Sequence, residues 1–128
     1  MMRRLPSIAD QTLLPNEVVT VDPNVPLGCP RVAYDISGYD SVGNPLVPKR
    51  NGMRLRQTSL PIVFRSGLNG TRADGVSVEA ILTACFDHLE SKQKTPDANV
   101  ADAKAASLIR KAMKALMPSS TRVAHAAR

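Results

Sequence analysis

Up to about residue 75 the apolar positions come in short runs cut by proline and glycine, the pattern of strands and turns. Glu17-Val18-Val19-Thr20-Val21 is a β-like run closed by Asp22-Pro23-Asn24. Arg31 to Ile36 alternates, with Val32, Tyr34 and Ile36 on one face and Arg31, Ala33 and Asp35 on the other. Asn51-Gly52 is a strong hairpin-turn signal. It launches a strand over 53–60 that puts Met53 and Leu55 on one face and Arg54, Arg56 and Thr58 on the other. Pro61 bends or interrupts that strand before Ile62-Val63-Phe64, and 65–75 reads as a flexible loop.

Beyond residue 75 the chain turns rich in Ala, Lys and Leu. Residues 76–89 fit two periods. With period two, Val76, Val78, Ala80, Leu82, Ala84 and Phe86 share a face; with period 3.6, Val78, Ile81, Leu82, Cys85 and Leu89 do. The alternation is the cleaner fit, so the sequence predicts a last strand over 76–89. Thr95 as cap and Pro96 as first helical residue open a helix whose apolar face is Ala101, Ala105, Leu108, Ile109, Ala112, Met113 and Leu116. Pro118 is expected to stop it, with a short last helix over 121–127. The predicted architecture is α+β: several antiparallel strands, then helices, in one domain spanning 1–128, with strands and loops over 1–75 and helices over 96–127.

Composition narrows this further. The chain has 128 residues and 3% aromatic content with no Trp, so its core has to be aliphatic. The apolar runs fall short of the ~20 residues that span a bilayer, and the start lacks the apolar stretch of a secretory signal. Two cysteines, Cys29 and Cys85, are too few for a disulfide scaffold or a closed zinc site. The spacing of Gly67, Gly70 and Gly75 makes no phosphate loop, and Cys85 and His88 lack the partners that metal binding or nucleophilic catalysis needs. We therefore expect no enzyme, no cofactor and no metal.

Charge is more telling. The net charge of +6 is distributed in blocks: residues 49–73 hold Lys49, Arg50, Arg54, Arg56, Arg65 and Arg72 with no acid, and 103–128 hold six basic residues with none. Two basic blocks in a mildly acidic chain suit a polyanion. Arg54, Arg56 and Thr58, with Arg31 on the matching face and Lys49 and Arg50 in the turn, could neutralise phosphates along RNA. Tyr34, Tyr39, Phe64 and Phe86 are the whole aromatic supply, too few for a stacking platform.

Taken in order, Pro30-Arg31-Val32-Ala33-Tyr34, Pro48 to Arg56 with its Asn51-Gly52 turn, Leu60-Pro61-Ile62-Val63, the loop 65–75, the run 76–89 and Leu108 to Leu116 resemble the coat proteins of single-stranded RNA bacteriophages, over about residues 30–120. The resemblance implies an N-terminal hairpin, an antiparallel sheet of about five strands and two C-terminal helices packed on a dimer partner's sheet. It implies interlocked homodimers that build an icosahedral shell in the bacterial cytoplasm and end in the virion. Single-stranded RNA would bind the inner sheet face at Arg31, Lys49, Arg50, Arg54, Arg56, Thr58, Thr83 and Cys85; in many members that RNA includes a hairpin through which translation is repressed. The loop at shell symmetry axes would be Arg65, Gly67, Asn69, Gly70, Arg72 and Gly75. Ala105, Leu108, Ile109, Ala112, Met113 and Leu116 would form the dimer helix face. A competing reading takes 76–89 as a helix that forms an antiparallel hairpin with 96–117; with Ile62-Val63-Phe64 and Gly75 to Ala80 it resembles small phage counter-defence proteins that sequester cyclic nucleotides. A small regulatory or ribosome-associated RNA binder would explain the charge but not helices following a sheet.

Overall fold

The computed structural model describes residues 2–6, 14–67 and 73–126, with 118–126 as backbone alone. The described residues form six strands and then two α-helices: β1 (Arg3–Arg4), β2 (Val18–Val21), β3 (Ala33–Ser37), β4 (Lys49–Arg50), β5 (Met53–Arg54), β6 (Ser59–Val63), α1 (Val78–Lys92) and α2 (Val100–Ala126), with a short 3-10 turn at Ser41–Gly43. The expected α+β class, an antiparallel sheet with an N-terminal hairpin followed by two C-terminal helices, is what the structure has. The sequence treats 1–128 as one domain; the backbone groups into two compact units, Met1–Val76 and Ser77–Arg128, divided where the composition changes.

In the first unit β1, β2, β3 and β6 make a four-stranded antiparallel sheet in that order, and β4 and β5 pair separately. Val21 lies opposite Tyr34 and Tyr34 opposite Ile62, while Val19, Ile36 and Leu60 form the next row. Residues in one row share a face, so this face is apolar. Val21 at its centre is fully buried, and Tyr34 meets Phe64 edge-on at 5.6 Å. The reverse face carries Thr20, Asp35, Ser37 and Ser59.

Pro61 does not interrupt its strand. It lies within β6, opposite Asp35, on an edge where its missing N–H costs no ladder bond. The outer edge of β6 is also blunted at both ends. Gln57 donates its side-chain amide to the Ser59 carbonyl at 3.2 Å, and the Val76 N–H donates to the Val63 carbonyl at 2.8 Å. Both leave little for another strand to pair with.

The reading of 76–89 as the last strand is corrected: Val76 makes a single bridge to Phe64, and from Val78 on the segment is helix. Three local forces decide it. The Ser77 hydroxyl accepts the Ala80 N–H at 3.1 Å as an N-cap, Glu79 sits in the first turn, and Lys92 sits in the last. Ala80, Leu82, Ala84, Leu89 and Glu90 add helix propensity, and the alternation has no neighbouring strand to reward it. Helix α2 also starts later than expected. Asn99, not Thr95, caps it: its side-chain oxygen accepts the Asp102 N–H at 2.8 Å, and its amide donates back to the Asp102 carboxylate at 2.8 Å. Thr95 instead donates to the Lys92 carbonyl at 2.6 Å in the connecting turn. Pro118 lies inside α2, which runs on to Ala126. A proline removes one donor from the ladder without forbidding continuation, so there is no separate helix over 121–127. The two helices of the structure are thus 78–92 and 100–126, where the sequence predicts 96–117 and 121–127.

An ion pair between Lys92 and Asp102 at 2.7 Å ties the end of α1 to the start of α2. Among the described side chains of α2 Ala106 is the buried one, with Ile109, Met113 and Leu116 half-buried along the same stripe. Among the described residues no helix is long and apolar enough to cross a membrane.

Candidate nucleic-acid interface

The basic residues of 49–56 do not lie on the four-stranded sheet. They separate into two groups with different surroundings. The first is the β4–β5 ribbon. Asn51 and Gly52 both have positive φ, 53° and 76°, which is the geometry that a two-residue hairpin needs and that Gly meets without strain. This tight turn sets Lys49 directly opposite Arg54 and Arg50 opposite Met53. All four are exposed, Met53 at 74%.

Two cations facing each other across a ladder repel. Among the described residues none of Lys49, Arg50 and Arg54 forms an ion pair or a side-chain hydrogen bond. The ribbon therefore concentrates three positive groups within one turn and leaves their neutralisation to something outside it.

Arg56 belongs to the second group. Its guanidinium grips Asp40 with two bonds, Nε to Oδ1 at 3.2 Å and an Nη to Oδ2 at 2.7 Å. The Arg56 hydrogen bond and then the Val42 N–H hold the Asp40 carboxyl below its ordinary value, and the same carboxylate raises Arg56. Ser41 completes the junction: its N–H donates to the Gln57 carbonyl at 2.9 Å and its hydroxyl accepts the Gln57 N–H at 2.7 Å. Residues 55–57 are thereby pinned to the turn at 40–43 and leave the ladder. The strand predicted over 53–60 is for this reason two pieces, β5 and β6, and Arg54, Arg56 and Thr58 do not share a sheet face. Thr58 lies in a bend between them.

The remaining predicted contacts are scattered. Arg31 is exposed ahead of β3, its carbonyl accepting the Tyr34 hydroxyl at 3.4 Å. Thr83 and Cys85 are on α1, not on a sheet, and about 200° apart around the helix. Thr83 turns its hydroxyl back to the Glu79 carbonyl at 2.7 Å, and Cys85 is an exposed free thiol. The structure thus brings together Lys49, Arg50 and Arg54 on one ribbon, leaves Arg31, Arg56 and Thr58 off it, and puts Thr83 and Cys85 on a helix of the second unit.

The expected assembly loop is closed at its base. Arg65 donates to the Gly75 carbonyl at 3.3 Å, and Ser66 bonds the Asp74 carboxylate through both its N–H and its hydroxyl. Gly75 passes so near the chain that a Cβ there would lie 2.5 Å from the Phe64 carbonyl carbon. Gly67 lies within the described residues; Asn69, Gly70 and Arg72 lie outside them.

The predicted dimer helix face divides. Ala105, Ile109, Met113 and Leu116 are half-buried, whereas Leu108 is 53% exposed and Ala112 is exposed. Sequence reasoning missed Ala106, the residue buried at 3%, and a groove of about 400 Å³ lined by Glu79, Phe86, Arg110, Met113, Lys114 and Met117. The helical reading of 76–89 is the signal that would have found it. Among the described residues no three His, Cys, Asp or Glu side chains are placed to hold a metal ion. No protein-family model and no curated protein matches this chain.

Proposed function

We propose that this chain is a self-assembling shell protein that packages single-stranded RNA, as its resemblance to RNA-phage coat proteins implies. The observation that carries the reading is how little the chain buries. Among the described residues only Val21 and Ala106 are buried apolar groups, while Leu46, Met53, Leu55, Val78, Leu108 and Met117 are all more than two-fifths exposed. Covering such side chains is worth about 1.5–3 kcal/mol each, and association costs roughly 4–15 kcal/mol, so several must be covered together. A chain of this kind gains its stability from other copies of itself. The order of sheet and then two helices supports the coat reading. The extended 76–89 segment does not, because it is helical.

RNA is contacted in this reading by the β4–β5 ribbon, not by a broad basic sheet face. Lys49, Arg50 and Arg54 supply charge to phosphates without base readout. A virion location, a translational-repressor role and icosahedral geometry follow from the resemblance alone.

The test is to purify the recombinant protein and examine it by electron microscopy and size exclusion. Closed particles with nucleic-acid absorbance at 260 nm are expected. A small oligomer free of nucleic acid would overturn the shell reading. It would favour the cyclic-nucleotide binding module, whose helical hairpin α1–α2 supplies but whose account leaves the sheet unexplained.

A further inference from the structure

We propose that the two faces of the β4–β5 ribbon divide the work of holding RNA, one taking phosphate alone and the other a base, and that Met53 is the group on which the base lies. This assignment rests on the RNA reading of the ribbon and names what the ribbon takes: an unpaired nucleotide.

Register divides the ribbon. Residues directly opposite share a face and successive rows alternate, so Lys49 and Arg54 lie on one face and Arg50 and Met53 on the other. The first face offers charge alone. The second sets a guanidinium beside a thioether, with Cβ atoms about 4.5–5.5 Å apart for a pair of this kind. That pair flanks the Asn51-Gly52 turn and so stands at the tip. Met53 is 74% exposed, and the other three residues of the two strands are cations.

A single exposed apolar side chain is ordinary. Its company is what selects a ligand. A polyanion without bases would satisfy Lys49, Arg50 and Arg54 and leave Met53 in water. An apolar protein surface would cover Met53 and take cations out of water with no counter-charge. A duplex offers phosphates and base edges, its base faces being closed in the stack. An unpaired nucleotide offers a phosphate and a flat π-face side by side, as Arg50 and Met53 stand side by side. The Met53 sulfur gains from a base as it does from an aromatic ring, and the unbranched side chain can follow the tilt of the base. Every base has such a face, so the contact selects unpaired RNA without selecting a sequence. It also supplies what the aromatic residues do not: Tyr34 and Phe64 are engaged with each other, and Phe86 lies under Arg110.

The test uses the full chain and two probes of equal length and charge, a short single-stranded oligouridylate and an abasic strand, in fluorescence anisotropy across a salt series. Wild type is expected to bind the oligouridylate roughly two- to tenfold more tightly than the abasic strand, with one salt slope for both. Met53→Gln, polar and of similar size, is expected to remove that preference while leaving the slope and the melting temperature unchanged; Met53→Leu is expected to keep most of it. Equal binding of the two probes by wild type, or a preference that survives in Met53→Gln, would overturn the base face and leave the phosphate contacts standing. The triple replacement of Lys49, Arg50 and Arg54 with Ala is expected to lower the slope on both probes. An unchanged slope on both would instead remove RNA from the ribbon altogether, and the base face with it.

Discussion

Arg54 and Arg56 are two residues apart and live in opposite circumstances. Arg54 faces Lys49 across a two-residue turn with no carboxylate on it, while Arg56 is held in two bonds by Asp40. One is kept available and the other is consumed by the fold. The same contrast separates the β4–β5 ribbon from the β1-β2-β3-β6 sheet: the ribbon buries nothing and sets like charges opposite one another, whereas the sheet buries Val21 and spreads its charges, Arg3 and Arg4 on the edge strand β1 and Asp35 on β3. Binding and cohesion therefore reside in different elements, and each should fail without the other.

The strongest break on the cohesive side is Val21→Asp. A carboxylate at the fully buried centre of the sheet would be taken out of water, and the one cation in its row, Arg3, lies exposed on the two-residue edge strand β1. An uncompensated buried charge costs several kcal/mol, on the order of a small unit's whole stability. Circular dichroism is expected to show loss of strand signal, with no particles formed. Gly75→Val follows in size. Its side chain would meet the Phe64 backbone at the base of the 65–75 loop, and thermal melting should record a loss of roughly 1–3 kcal/mol.

On the binding side, replacing Lys49, Arg50 and Arg54 together with Ala should leave both melting and helicity unchanged and strip the particles of RNA. Removing about three phosphate contacts lowers the slope of log affinity against log salt by about two. Fluorescence anisotropy with a single-stranded RNA across a salt series measures this. An unaltered slope would place the RNA elsewhere, and α2 is the next basic surface. The finer comparison uses single substitutions: Arg54→Ala should reduce RNA affinity and relieve the repulsion with Lys49, while Arg56→Ala should leave the affinity nearly unchanged and loosen residues 55–57.

Much of the sheet was legible because alternation and turn chemistry act locally. Tyr34 and Ile36 share the apolar face as their spacing predicts, and Asn51-Gly52 makes the turn. What was not legible depended on contacts distant in sequence. Nothing in the run 53–60 announces that Asp40, sixteen residues earlier, will take Arg56 and break the strand. The helix at 78–92 is a different failure: both periods are present, and what tips the balance is local, the Ser77 cap together with Glu79 in the first turn and Lys92 in the last. Once that segment was assigned to a strand, Thr83 and Cys85 fell on a face that does not exist, and the α1–α2 groove could not be anticipated.

The smallest expected effect is on pH, and it separates the two arginines again. Asp40 lies below its ordinary value of 3.8 because Arg56 and the Val42 N–H bond its charged form, and Asp102 is lowered by Lys92 and Asn99. A carboxyl depressed in the folded state contributes stability that is present above 3.8 and lost as pH falls through the lower folded value. Lys92 is raised above 10.5 by the same Asp102, so its share is present below that value and lost as pH rises through the folded one. Asp40 is exposed, and Lys92 and Asp102 are half-buried at the surface, where solvent screens the pair, so the global melt should move little. The local readout is sharper: amide exchange at Val42 and Gln57 should quicken in acid below about pH 4, and at Asp102 in the same window. Asp40→Asn should abolish the acid response at Val42 and Gln57 and leave that at Asp102 intact. Neither substitution nor acid should alter the salt slope set by Lys49, Arg50 and Arg54, because no carboxylate among the described residues is coupled to them. A slope that followed the Asp40 titration would mean that the junction at 40–57 and the ribbon act as one element, and the separation of binding from cohesion would fall.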